Sequence, residues 1–143
     1  MSYFNDDFIN FFKDLAANNN KEWFHANKKR YASNVKKPFE NFLCDLIAEI
    51  QKHDPTVQVE PKHCMGRINR DIRFSADKTP YNLHYTAFVS RVGKKDKSVP
   101  GIYLRFSPES IGVMAGSHGL DKDQLNNVRT SIKNNLSEFQ NFC

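Results

Sequence analysis

Ile102-Tyr103-Leu104-Arg105-Phe106 runs into Ser107-Pro108-Glu109-Ser110 and then directly into Ile111. Ile102, Leu104 and Phe106 alternate with the residues between them, the period-two pattern of a strand with one buried face. Ser107-Pro108-Glu109-Ser110 has the composition of a turn, so the strands on either side of it form an antiparallel hairpin. Working outward, Val57 with Val59, residues 67–74, 85–92 and 111–115 also read as short strands, separated by Gly, Pro, Ser and Lys clusters.

The flanks of this region have helical periodicity. Phe4, Phe8, Phe11, Phe12 and Leu15 recur at three- and four-residue steps, with Asp6 and Asp7 at the positive end of the predicted helix. Asn18-Asn19-Asn20 ends it, and Asn20 is the N-cap of a second helix that carries Phe24, Tyr31, Val35, Phe39, Leu43 and Ile47 on one stripe. Trp23 and Phe24 cement the two helices together. Pro38 removes a helix hydrogen bond, so a kink or break is expected near Lys36-Lys37. Beyond the strands, Asp121 and Gln124 form a capping-box pattern ahead of a last helix striped by Leu125, Val128, Ile132, Leu136 and Phe139. The order predicts an α+β fold: N-terminal helices, an antiparallel β-sheet meander and a C-terminal helix. It is read as a single domain over 1–143, with a helical part about 1–54, a sheet part about 56–117 and a final helix about 121–141.

A chain of 143 residues can bury its own core, and 39% hydrophobic with 26% charged residues excludes both disorder and a membrane-embedded chain. No apolar run approaches the roughly 20 residues that span a bilayer, and Met1 to Asp7 lacks the order of a signal peptide. A cytoplasmic protein is expected, with Cys44, Cys64 and Cys143 as reduced thiols. The formal net charge is +5. Between Lys62 and Arg105 ten basic residues face three aspartates, a local balance of +7 over a slightly acidic remainder. The middle third is therefore the place to look for an anionic partner.

Within it, strand alternation over 67–74 puts Arg67, Asn69, Asp71 and Arg73 on one face and Ile68, Arg70, Ile72 and Phe74 on the other. Arg70 would interrupt an apolar face and needs a carboxylate, for which Asp77 is the nearest candidate after the turn. Arg67 and Arg73, with Asn69, Lys78 and Tyr81, form a donor set suited to a phosphate or carboxylate. The reading is binding of an anionic ligand, a phosphorylated small molecule or nucleic acid, at this basic strand and turn. One alternative is an enzyme acting on a phosphate ester through Asp71, Asp77, Lys78 and His84, with Mg²⁺ on the two aspartates as one form of it. Another is a structural or interaction domain in which the Arg–Asp pairs serve stability.

Other features read as scaffold. His63 and Cys64 are adjacent and cannot chelate together on a strand, so no His/Cys metal site is expected. Cys44 lies among the apolar residues of the second helix, as an inert thiol. Gly112, Gly116 and Gly119 suit bulges and turns, Lys94-Lys95-Asp96-Lys97 a solvated hairpin loop, and the aromatics Tyr81, Tyr85, Phe88 and Tyr103 the core.

Asn18-Asn19-Asn20-Lys21-Glu22-Trp23-Phe24, Arg67-Ile68-Asn69-Arg70-Asp71-Ile72-Arg73-Phe74-Ser75 and Asp77-Lys78-Thr79-Pro80-Tyr81 together resemble the signatures of a microbial family, the domain of unknown function 2461. The resemblance implies an α+β fold over essentially the whole chain and brings neither an activity nor a cofactor. Members of that family run longer, which implies that this chain lacks the family's C-terminal part.

Overall fold

Asn5 opens the first helix by accepting the Phe8 N–H with its side chain, and Asp6 and Asp7 occupy the first turn of α1 (Asp6–Ala17). The computed structural model that shows this describes residues 3–142; Cys143 lies outside them. Asn20 caps α2 (Lys21–Ala26) through the Trp23 N–H. What reads in sequence as one long second helix is segmented. Asn27 separates α2 from the single turn α3 (Lys28–Tyr31), and a π-helical stretch at Ala32–Lys36 precedes α4 (Lys37–His53). Pro38 lies in the first turn of α4, but the backbone runs on helically from the π-turn into α4, so the bond its missing N–H cannot make is accommodated by the π-turn just ahead of it, with no break in the helix.

The strands are β1 (Tyr85–Ser90), β2 (Gly101–Phe106) and β3 (Ile111–Gly116), hydrogen-bonded in the order β1-β2-β3 with both pairings antiparallel. The fold is thus α+β, with helices before and after a meander. Tyr85 is paired with Phe106, Ala87 with Leu104 and Val89 with Ile102. These pairs face the helices and join the core formed by Phe8, Phe11, Phe12, Leu15, Val35, Phe39, Leu43 and Ile47. Phe39 meets the Tyr85 and Phe106 rings edge-on, at centroid distances of 4.8 and 5.3 Å, so one helical side chain spans a cross-strand pair. Phe11 packs on Trp23 and Phe24, joining α1 to α2.

Four expectations are corrected. Residues 57–59 form no strand, and Pro61–Cys64 is a helical turn, α5. Residues 67–74 make only an isolated bridge, Asn69 to Tyr81. Pro80 offers no N–H to extend a ladder, and the carboxylates of Asp71 and Asp77 capture the N–H groups of Arg73 and Thr79, turning the chain away from a strand path. The last helix is two, α6 (Lys122–Asn134) and α7 (Leu136–Phe142), with the Asp121–Gln124 capping box in place. Its stripe joins no core: Leu125, Val128, Leu136 and Phe139 are exposed. β3 is equally bare. Ile111 and Val113, on the helix side of the sheet, are 69% and 64% exposed, and among the described residues its outer edge pairs with nothing. The outer edge of β1, by contrast, is covered by a bridge from Met65 to Ala87 and by the Gly66 N–H on the Thr86 carbonyl.

Candidate functional site

The basic segment from Arg67 to Tyr81 is held by a network of local bonds. Arg70 reaches Asp77 at 2.5 Å and also donates to the hydroxyl and carbonyl oxygens of Thr79. Asp77 in turn accepts the Thr79 N–H at 2.9 Å, and that bond, followed by Arg70, holds its carboxyl down at about 2. Arg73 forks onto its neighbour Asp71, with Nε and Nη2 at 2.9 and 2.6 Å, and its guanidinium lies over the exposed Phe74 ring. Lys78 donates to the Ile72 carbonyl at 2.9 Å. Arg67 and Asn69 are exposed, while Tyr81 turns its ring into the core, stacked on Phe24 at 4.1 Å. Phe74, placed by alternation on the apolar face, is 96% exposed because the chain leaves the strand path there.

Asp77, Lys78, Thr79 and Pro80 border a shallow depression with Asn19, Lys21 and Glu22. Arg67, Arg73 and Asn69 are not part of it. Asn19 is the joint at this point: its Nδ2 donates to the Tyr81 carbonyl at 2.9 Å and its Oδ1 accepts the Tyr81 N–H at 3.1 Å, so one side chain stands in for a strand partner. Among the described residues no hydrogen bond or ion pair joins Asp71, Asp77, Lys78 and His84 to one another, and no three His, Cys, Asp or Glu side chains gather as metal donors. Burial, and then Arg105, lower the His84 pKa, so its imidazole is neutral at pH 7.

The two arginines should therefore respond differently to removal. Arg70→Leu removes the charged donor shared by the Asp77 carboxylate and the Thr79 oxygens and is expected to cost about 1–3 kcal/mol. Arg73→Leu breaks only an exposed neighbour pair and should stay within about 0.5 kcal/mol. Urea unfolding of both variants checks this, and equal losses would contradict it.

Behind the sheet lies a larger space, a cleft of about 740 Å³. Register and alternation build it. On the face away from the helices, Phe88 of β1, Tyr103 of β2 and Met114 of β3 form one row across the sheet. The adjacent row is Ser90, Gly101 and Gly116, almost without side chains. The loop from Gly93 to Ser98 and the segment after β3 wall this bare row, and they are tied together where the His118 and Gly119 N–H groups donate to the Lys97 carbonyl at 2.9 and 3.1 Å. Lys94, Lys97 and His118 line the cleft, and no Asp or Glu does. The Lys94 ammonium bonds to the Met65 carbonyl. Asp96, the acid of the same loop, accepts the Ser98 N–H and hydroxyl instead. Cys64 lines the inner wall with its thiol pushed up to about 11 by burial, which leaves it a poor nucleophile.

Sequence reasoning assigned Lys94 to Lys97 to a solvated loop, the glycines to turns, and Phe88 and Tyr103 to the core. The structure puts Phe88 and Tyr103 on the sheet face opposite the core. The signal that could have found the cleft was parity: counted from Leu104, whose face is apolar, Tyr103 and Gly101 fall on the other side, and Phe88 follows once the hairpin register is drawn.

Fold and site together define an α+β domain whose meander is backed by helices on one face and hollowed into a cation-lined cleft on the other. The chain belongs to the DUF2461 family of conserved hypothetical proteins, whose model matches residues 7–143. Among curated proteins and among solved structures, none matches it. No helix among the described residues is long and apolar enough to cross a membrane.

Proposed function

We propose that this domain binds an anionic ligand, and that the cleft behind the sheet is where the basic third of the chain does so. The observation that carries the reading is the lining: Lys94, Lys97 and His118 border one concave space with no carboxylate among them. The Arg67–Lys78 segment contributes charge to the same third, but Arg70 and Arg73 are each committed to an aspartate. A phosphate or carboxylate group seated near Lys97 gains charge-assisted bonds without first displacing an internal partner. Small anionic molecules fit a space of this size better than a nucleic-acid backbone, which needs an extended track of cations.

The test is titration with inorganic phosphate, followed by NMR on the folded protein, with Lys97→Glu and Arg73→Glu in parallel. Lys97→Glu is expected to weaken binding about tenfold or more, the equivalent of about 1.4 kcal/mol, and Arg73→Glu by less than about twofold. The opposite ranking moves the anion site to the Arg67–Lys78 segment. An oligonucleotide whose affinity falls steeply between low and moderate salt would turn the reading toward nucleic acid.

A further inference from the structure

We infer that the cleft takes an organic anion with a flat aromatic body, an aryl phosphate in its simplest form, rather than an inorganic anion. The inference rests on the anion-binding reading and concerns the part of the ligand that carries no charge. A bare phosphate would use only the rim cations and leave the rest of a 740 Å³ space to water. That remaining space is shaped by side chains left out as much as by those present.

Gly101 lies beneath Phe88, and a Cβ there would meet the Phe88 Cζ at 2.8 Å and the Val89 carbonyl oxygen at 2.5 Å. The ring can therefore lie across the β2 backbone only because residue 101 has no side chain. Its register partner Gly116 has φ +141°, a conformation that side chains rarely adopt, and a Cβ there would meet nothing within 4 Å. The backbone floor is thus open at the β3 end, at Gly116, and covered by the Phe88 ring at Gly101. Tyr103 and Met114 stand beside the open part, and Phe88, third in their cross-strand row, leans over Gly101. Two aromatic rings and a thioether around an open stretch of backbone suit a planar ring, through stacking and sulfur–aromatic contact. The cations border the same space, so a ligand with its ring on the floor and its anion toward Lys97 uses both halves at once. The proposal is binding only, with no covalent step.

Phenyl phosphate tests this, with inorganic phosphate and phenol as its two halves. The chain has six glycines, so selective ¹⁵N-glycine labelling gives a spectrum in which Gly66, Gly101 and Gly116 report on the cleft and Gly112 lies outside it. Phenyl phosphate is expected to bind about tenfold or more tighter than either half, shifting those three amides. Phe88→Leu, and independently Met114→Ser on the exposed edge strand, should bring phenyl phosphate to within about twofold of inorganic phosphate, with folding checked by the same spectra. Equal binding of phenyl phosphate and inorganic phosphate in the unmodified protein would overturn this inference and leave the anion reading standing. Phenol binding as tightly as phenyl phosphate, or neither anion binding, would overturn both.

Discussion

Phe39→Ala is expected to remove about 3–5 kcal/mol of stability, the largest loss from any single truncation considered for this domain. The residue is fully buried and stands where the helical layer meets the sheet. Its ring meets Tyr85 and Phe106, which are register partners on neighbouring strands, and it lies within 6.5 Å of the Phe4 and Phe42 rings. Truncation removes the ring and leaves a void that four aromatic neighbours on different elements cannot close by one shared movement. Domains of this size are stable by about 5–15 kcal/mol, so the variant should unfold at markedly lower urea with an unchanged slope. Phe39→Leu, which retains most of the volume, should lose about 1.5 kcal/mol or less. A difference of less than about 1 kcal/mol between the two variants would mean that the cavity is not the cause.

The second large effect comes from a polar residue in a turn. Asn19→Ala removes the donor from the Tyr81 carbonyl and the acceptor from the Tyr81 N–H together. Each unpaired backbone group in a partly buried place costs about 1–3 kcal/mol, so the expected loss is about 2–4 kcal/mol, less where water reaches the gap. Tyr81 is itself buried and stacked on Phe24, so the loss should appear as loosened attachment of 67–82 to the helices. Native-state hydrogen exchange checks this: the Tyr81 and Asn82 amides should lose protection before those of β2. Asn19→Asp separates the two bonds, because it retains the acceptor and replaces the donor by an oxygen facing a carbonyl. It should be at least as damaging as Asn19→Ala above pH 5 and milder where the carboxyl is protonated.

How much of this was legible in the sequence follows from the range of the interactions. The Asn20 and Asp121 caps act within three residues, and each stands where the sequence pattern puts it. The hairpin from Ile102 to Ile111 was readable for the same reason. Residues 67–74 misled because alternation is a pattern of burial, and burial alternated there without a ladder: Ile68 is buried, Arg67 and Asn69 exposed, while Asp71 and Asp77 tie the backbone locally. The Arg70–Asp77 pair could be anticipated from the cost of an unpaired charge, whereas the seizure of Arg73 by Asp71 was hidden by the assumption of an extended strand, on which the two side by side would reach outward. The cleft was the least legible feature. It depends on which strands are neighbours and on side chains that glycine omits, and both are properties of the register.

The bare edge of β3 has a consequence for how the molecule behaves in quantity. Colloidal stability is commonly credited to net charge, and this chain carries +5. That charge is concentrated between Lys62 and Arg105, while Ile111-Gly112-Val113-Met114-Ala115-Gly116 contains no charge and no proline to discourage a passing strand. Repulsion between whole molecules acts over about a Debye length, roughly 8 Å at physiological salt, and salt weakens it. As salt weakens that repulsion the open edge is left as a template for adding strands, so solubility is expected to fall as salt is raised.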